Sequence, residues 1–347
     1  MPYELVIPER QSIEFREYEE SALEPDQVRV ESEFSSNKHG TLFRKYRGDP
    51  NEWHSDFERE HRISQSEPSF PNYPLSVGNT TVGTVIDVGE NVTEFGIGDR
   101  VFGHLPIRET HAVTTDHVRH APAGMPAEAI VYRNPGGVGV HLIRDGDVSL
   151  GDTVAVFGAG AIGQITAQLC RLAGASTVVV SDPLERRRSV AARHGADLVI
   201  DPTETDAALE IKQQVVSGEE PGVDRALETS AAYAGLDDAI RAVAYGGTIS
   251  SCGYYEGDAS PLGLEAEFHR NAVDIRSVQP GSSNAMAYHP RWQRRHLRDE
   301  AFRHLEAGRI DVDGLIDPIV PLDEAAETIE HVIAHPEDAI KVGVTYD

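Results

Sequence analysis

The residues best placed to do chemistry are six in a row, Gly158-Ala159-Gly160-Ala161-Ile162-Gly163. A short apolar run, Thr153 to Phe157, precedes them, and a stretch of helical spacing, Ile162 to Ala173, follows. In that setting a G-x-G-x-x-G motif has a mechanism. Gly158 permits a tight turn, Gly160 lets the backbone approach a pyrophosphate, and Gly163 lets helix pack closely on strand. The helix start offers unpaired N–H groups and the positive end of its dipole to phosphates. Asp182 closes the next apolar run, where a carboxylate accepts hydrogen bonds from the adenosine ribose hydroxyls and repels a 2′-phosphate. NAD is therefore the expected cofactor. Arg186, Arg187 and Arg188 follow at once and leave NADP open: they either serve a 2′-phosphate or pair with acidic neighbours.

The elements that must position this motif alternate. After Thr153–Phe157 come apolar runs at Thr177–Val180, Leu198–Ile200, Val223–Leu227, Gly247–Ser251 and Asp274–Val278. Helical patterns separate them at Ser189–His194, Ala207–Val216 and Gly235–Ala244. Strands alternating with helices mean βαβ units and a doubly wound parallel sheet. Residues 1 to 125 instead read as strands and turns, as in Val82 to Val88 and Gly98-Asp99-Arg100-Val101. The polar, proline-bearing stretch from Asp49 to Tyr73 reads as a long loop or lid. A chain of 347 residues suits two domains. The expected division is a β-rich domain over 1–125, a cofactor domain over 126–285, and a return to the first domain over 286–347. Helices are expected in that tail at about 290–307 and 323–334.

Charge narrows the partners. The chain has 57 acidic and 31 basic residues, a net charge of −26, and its lysines are Lys38, Lys45, Lys212 and Lys341 alone. Such an excess repels nucleic acid and anionic membranes. It strains the compact state by self-repulsion that high salt screens, which fits a halophilic host. No apolar run approaches a membrane span of about 18 residues. The stretch Met1 to Gln11 has neither a basic nor an apolar leader, so a cytoplasmic chain is expected. Two cysteines, Cys170 and Cys252, make no disulfide framework and exclude a four-cysteine zinc site by count.

The order of several pieces resembles the medium-chain dehydrogenase/reductase superfamily, the alcohol and polyol dehydrogenase fold. The matching pieces are Val82–Val88, Gly98-Asp99-Arg100-Val101, Gly151-Asp152-Thr153, the glycine motif, Ser181-Asp182-Pro183 and Glu228-Thr229-Ser230. The resemblance implies a GroES-like β-rich catalytic domain beside a Rossmann cofactor domain. It implies that Arg187, Thr229, Cys252, Gly253 and Gln279 line the dinucleotide. It also implies a homodimer joined by edge strands near Gly247 to Tyr255. Leu264 to Pro280 and Pro290-Arg291-Trp292 resemble the zinc-lacking branch that includes bacteriochlorophyllide dehydrogenase-like proteins.

Departures from the zinc pattern support that branch. His39-Gly40-Thr41-Leu42 stands where zinc members have Cys-Gly-Thr-Asp, and Gly78-Asn79-Thr80 where they have Gly-His-Glu. The third ligand position falls at Asn134-Pro135, and no cysteine lobe lies between Gly103 and His111. Asparagine is a poor zinc ligand. Neither a catalytic nor a structural zinc is expected. Thr41 then matches the hydroxyl that starts the family's proton relay, and His39 sits where the metal would be, with an imidazole suited to proton transfer. One glycine separates them, so on an extended or turning segment both can face one cleft. Asn79 and Lys38 are further donors, and Tyr132 stands behind them. Arg291, Arg294, Arg295 and Arg298 share a helix face by their spacing, for pairing across an interface or for an anionic substrate. The expected function is a zinc-independent, NAD-preferring dehydrogenase of a secondary alcohol, polyol or sugar-like substrate. The alternatives are a quinone or enoyl reductase of the same fold, or a dinucleotide-binding sensor without turnover.

Overall fold

A computed structural model describes residues 1–48, 57–58, 60–61, 63–64, 71–278 and 292–346. Most of the stretch from Asp49 to Tyr73 lies outside them, and so do Gln279 and Arg291. The described chain divides into two compact units, Met1–Val131 with Ile316–Asp347, and Tyr132–Leu315. Among the described residues no helix is long and apolar enough to cross a membrane.

The first unit is built on a mostly antiparallel sheet. Its spine is β1 (Gln27–Ser36), followed by helix α1 (His39–Arg47) and then β2 (Thr80–Val88). β1 and β2 pair from Val28–Val88 to Ser36–Thr80. Alternate residues of β1 and β2 point inward, so Val28, Val30 and Val85 bury beside Val101 and Val118. On its other side β1 pairs with the C-terminal strand Gly343–Thr345, Ser36 lying opposite Gly343. That strand pairs in parallel with Ile319–Pro321. Leu42 of α1 packs into a second cluster with Leu5, Val77, Ile329 and Val344.

The second unit is a Rossmann fold. Its elements are α2 (Arg133–Asp145), β3 (Thr153–Phe157), α3 (Ala161–Ala173), β4 (Thr177–Ser181), α4 (Glu185–Arg193), β5 (Leu198–Ile200), α5 (Ala207–Gln214), β6 (Val223–Glu228), α6 (Tyr233–Ala242), β7 (Val243–Ser251), β8 (Asp274–Ser277) and α7 (Arg294–Glu306). The strands run β5-β4-β3-β6-β7-β8, all parallel. The order reverses beside β3, which is where such sheets bind dinucleotides. Both faces are covered. Val154, Val156, Val178 and Val180 pack with α2 and α3, while Ala155, Phe157, Val179 and Ala226 pack with α5 and α6. That is why the strands read as continuous apolar runs rather than alternating ones. Cys170 is buried in the first of these layers, as its helical setting implies.

Two expectations are corrected. The third segment, expected to leave the cofactor domain at 286, does so only at Ile316. Helix α7 belongs to the second unit because α2 is glycine-rich on the facing side: a side chain at Gly136 would meet Ala301, and one at Gly137 would meet Arg298. Nor is there an open edge at Gly247 to Tyr255. β7 is paired on both sides, and among the described residues the outer strand is β8.

Candidate active site

In the second unit the glycine motif forms the turn its sequence calls for. β3 ends at Phe157, and Gly158 adopts φ +91°, a conformation that favours glycine. A side chain at Gly158 would press on the Ser230 backbone, and one at Gly163 would collide with the Gly158 carbonyl. Gly160, in contrast, has open space on its Cβ side, the first atom met being the Arg187 guanidinium at 4.0 Å. Open space at the second glycine, over the start of α3 and beside a guanidinium, suits a pyrophosphate. The donor set therefore fits a dinucleotide.

Asp182 is 2% exposed. One carboxylate oxygen accepts from the Ala159 N–H at 2.7 Å and the other from the Leu184 N–H at 2.9 Å. It thus fixes the glycine turn while keeping lone pairs for ribose hydroxyls. Arg187 lies 3.8 Å from Asp182. Arg188 is committed elsewhere, donating to the Asp182 carbonyl and pairing with Asp201 at 2.6 Å. Thr229 turns its hydroxyl inward to the Gly158 carbonyl at 2.6 Å, so it clamps the turn. Cys252 and Gly253 follow β7, with the Cys252 N–H on the Glu228 carbonyl at 3.2 Å.

Glu228, at the end of β6, has a role its sequence setting does not reveal. It is fully buried, and burial pushes its carboxyl up against the opposing pull of hydrogen bonds from Ser230 and Tyr255. The Ser230 N–H (2.7 Å) and Ala231 N–H (3.1 Å) also donate to it, which fixes the loop beside Gly158. A carboxylate closing an apolar strand is the signal that could have found it.

In the first unit, His39, Thr41 and Asn79 lie near one another in the chain's pairing but not as spacing suggests. The segment is helical: His39 opens α1, and Thr41 is in its first turn. Residues two apart on a helix do not face each other, so one shared cleft does not follow from the intervening glycine. His39 stacks on Phe43, its i+4 neighbour, at 5.6 Å. Its Nε2 accepts from the Val342 N–H at 3.3 Å, which leaves the proton of the neutral ring on Nδ1. His39 is thereby set as a donor rather than as a base through Nε2. Asn79 is buried, donating from Nδ2 to the Thr80 hydroxyl at 3.1 Å.

Lys341 is the residue sequence reading missed here. It is 2% exposed, and its ammonium donates to the Asn37 carbonyl. Burial, and then the charge of Lys38, push its pKa down to about 7. Asn37 is 1% exposed, and neither atom of its side-chain amide has a partner. These donors do not make a zinc site. An imidazole nitrogen already engaged, two asparagine amides and a buried lysine lack the thiolate, free imidazole and carboxylate that zinc takes. Among the described residues no three His, Cys, Asp or Glu side chains gather to hold a metal.

The remaining candidates lie in the second unit. Tyr132 is fully buried and donates to the Leu315 carbonyl at 2.8 Å. Of the arginine row, Arg294 and Arg298 line a small cavity against α2 with Asn134 and His141, while Arg295 is exposed.

Comparison with known proteins agrees with this architecture. Residues 53–141 match the alcohol dehydrogenase GroES-like domain, and residues 161–288 match the zinc-binding dehydrogenase domain. The chain is 36% identical over 341 residues to D-guloside 3-dehydrogenase of Shigella flexneri, covering 95% of this chain and 96% of that protein. The D-guloside 3-dehydrogenase of Escherichia coli K12 is 35% identical with the same coverage. In fold, the chain resembles 2R,3R-butanediol dehydrogenase from Bacillus subtilis, with a TM-score of 0.78, 19% identity and full coverage of both chains.

Proposed function

This chain belongs to the alcohol dehydrogenase-like medium-chain dehydrogenase/reductase superfamily and is an NAD(P)-dependent oxidoreductase, and on that premise we propose that it oxidises a secondary ring hydroxyl of a glycoside, preferring NAD and using no zinc. The observation that carries this is the similarity to D-guloside 3-dehydrogenase, which spans both units rather than the cofactor unit alone. Gly158 to Gly163 and the start of α3 would hold the pyrophosphate, and Asp182 the adenosine ribose. The bound nicotinamide supplies the hydride acceptor. His39 is set to donate from Nδ1, and Thr41 and Asn79 supply further polar contacts to the substrate hydroxyl. The same reading makes the chain a cytoplasmic homodimer.

The test is NADH formation across a panel: methyl glycosides of gulose, glucose and galactose against 2,3-butanediol and threonine, with quinone reduction by NADPH in parallel. Turnover of a glycoside with NAD is expected. Turnover of the aliphatic alcohols alone, or of quinones alone, would overturn the reading. Cofactor binding with no turnover anywhere on the panel would favour a sensor.

Zinc independence has its own check. After dialysis the purified chain should contain no stoichiometric metal, and a chelator should leave NADH formation unchanged. About one zinc per chain, lost together with activity, would sink this part of the reading.

A further inference from the structure

Helices α2 and α7 of the second unit approach each other along glycines. A side chain at Gly136 would meet Ala301, and one at Gly137 would meet the Arg298 backbone. One turn beyond Gly137 in α2 is His141, and one turn before Arg298 in α7 is Arg294. His141, Arg294 and Arg298 line one small cavity together with Asn134 and Leu297. The space admits about one water-sized particle, which excludes a sugar or a nucleotide.

Three features set the charge that this cavity takes. Arg294 has its Nε buried without a hydrogen-bond partner, and its guanidinium pairs with no carboxylate among the described residues. In a chain of 57 acidic and 31 basic residues, arginine is the scarce charge and a partner should be easy to find. The acids of these two helices are committed elsewhere. Asp299 pairs with Arg133 at 2.7 Å, Glu300 with Arg303 and with His304 at 3.3 Å, and Asp145 with His141 at 2.9 Å. Glu306 lies at the far end of α7 from Arg294. No Asp or Glu lines the cavity among the described residues.

The second feature is the start of α7. It opens on Arg294 and Arg295 with no acidic residue in its first turn, which sets cations against the positive end of the helix dipole. An anion beside them offsets both. The third is His141, 8% exposed, whose Nε2 holds the Asp145 carboxylate. Asp145 is 1% exposed, and its other oxygen has no partner. With Nε2 engaged, Nδ1 is the ring nitrogen left for the cavity. As an imidazolium His141 donates from it, and its charge balances the buried carboxylate. Buried polar groups left unmet in this way call for a ligand that completes them.

We propose that this cavity is a chloride site that clasps α7 to α2, the anion accepting from the Arg294 guanidinium and the His141 imidazolium, with Arg298 adding positive charge. A monatomic anion suits the space, whereas the oxygens of a phosphate or the carbons of an organic acid exceed it. The site lies wholly within the second unit and needs neither the glycoside substrate nor the cofactor.

The test separates this ion from general screening. Melting is followed as chloride replaces gluconate at constant potassium and constant ionic strength, so that screening is held fixed. A ligand that binds only the folded chain stabilises it by mass action. The gap in melting temperature between wild type and Arg294→Gln should therefore widen steadily as chloride rises. Chloride NMR gives a direct reading: wild type should broaden the chloride line, bromide should reverse the broadening, and Arg294→Gln should lose most of it. Crystals of the wild type soaked in bromide should show an anomalous peak beside Arg294 and His141, a result that depends on no variant. A melting gap that stays constant would make Arg294 a structural residue and overturn the assignment. Equal chloride line widths for the two proteins, a gap that sulfate widens and chloride does not, or bromide-soaked crystals with no peak at this cavity would each overturn it as well.

Discussion

Asp182→Ala should weaken NADH binding by roughly 10- to 100-fold and collapse the preference for NADH over NADPH. Two losses combine. The ribose hydroxyls lose a charged acceptor, a bond worth about 1.5–3 kcal/mol. The Ala159 and Leu184 N–H groups, now bonded at 2.7 and 2.9 Å, lose theirs, so the glycine turn itself is released. NADPH should lose less, since removing the carboxylate also removes its repulsion of a 2′-phosphate and leaves Arg187 nearby. Asp182→Asn separates the two effects, because the amide oxygen can still hold one backbone N–H. Fluorescence titration of both cofactors on wild type and both variants decides it. A wild type that prefers NADPH would assign the selectivity to Arg187 instead.

Lowering salt should destabilise the whole chain. The net charge of −26 is spread over a protein with only four lysines, and its ion pairs are mostly made by arginine, as in Arg100–Glu33 at 2.7 Å and Arg276–Asp147 at 2.5 Å. Twenty-six uncompensated charges repel one another across the folded surface. Salt shortens the reach of that repulsion from about 10 Å at 0.1 M to about 3 Å at 1 M. The melting temperature in KCl should rise over that range, by about 2–4 °C for each 1 kcal/mol gained in domains of this size. A melting temperature that does not move would remove the case for a halophilic origin.

Sequence alone determined the cofactor unit. The apolar runs, the helices between them and the glycine motif are all local patterns, and Rossmann sheets form from units in which each strand meets the next within a few dozen residues. Gly163 and Asp182 act on backbone that the same short segment supplies, the Gly158 carbonyl and the Ala159 N–H, so their local settings could be read without the fold. Local pattern failed where the deciding neighbour was distant. Whether α7 belonged to the cofactor unit depended on glycines in α2, some 160 residues earlier, which admit its close approach. Which strand was outermost depended on β8 pairing with β7. The His39 segment was misjudged because two residues either side of a glycine say nothing about whether the turn between them is helical. Lys341 was invisible for the strongest reason: it meets Asn37 across 304 residues of sequence, through the register of one strand pair. Its burial, and with it the depressed pKa, exists only once the C-terminal strand has closed against β1, because desolvation is a property of packing and not of the residue.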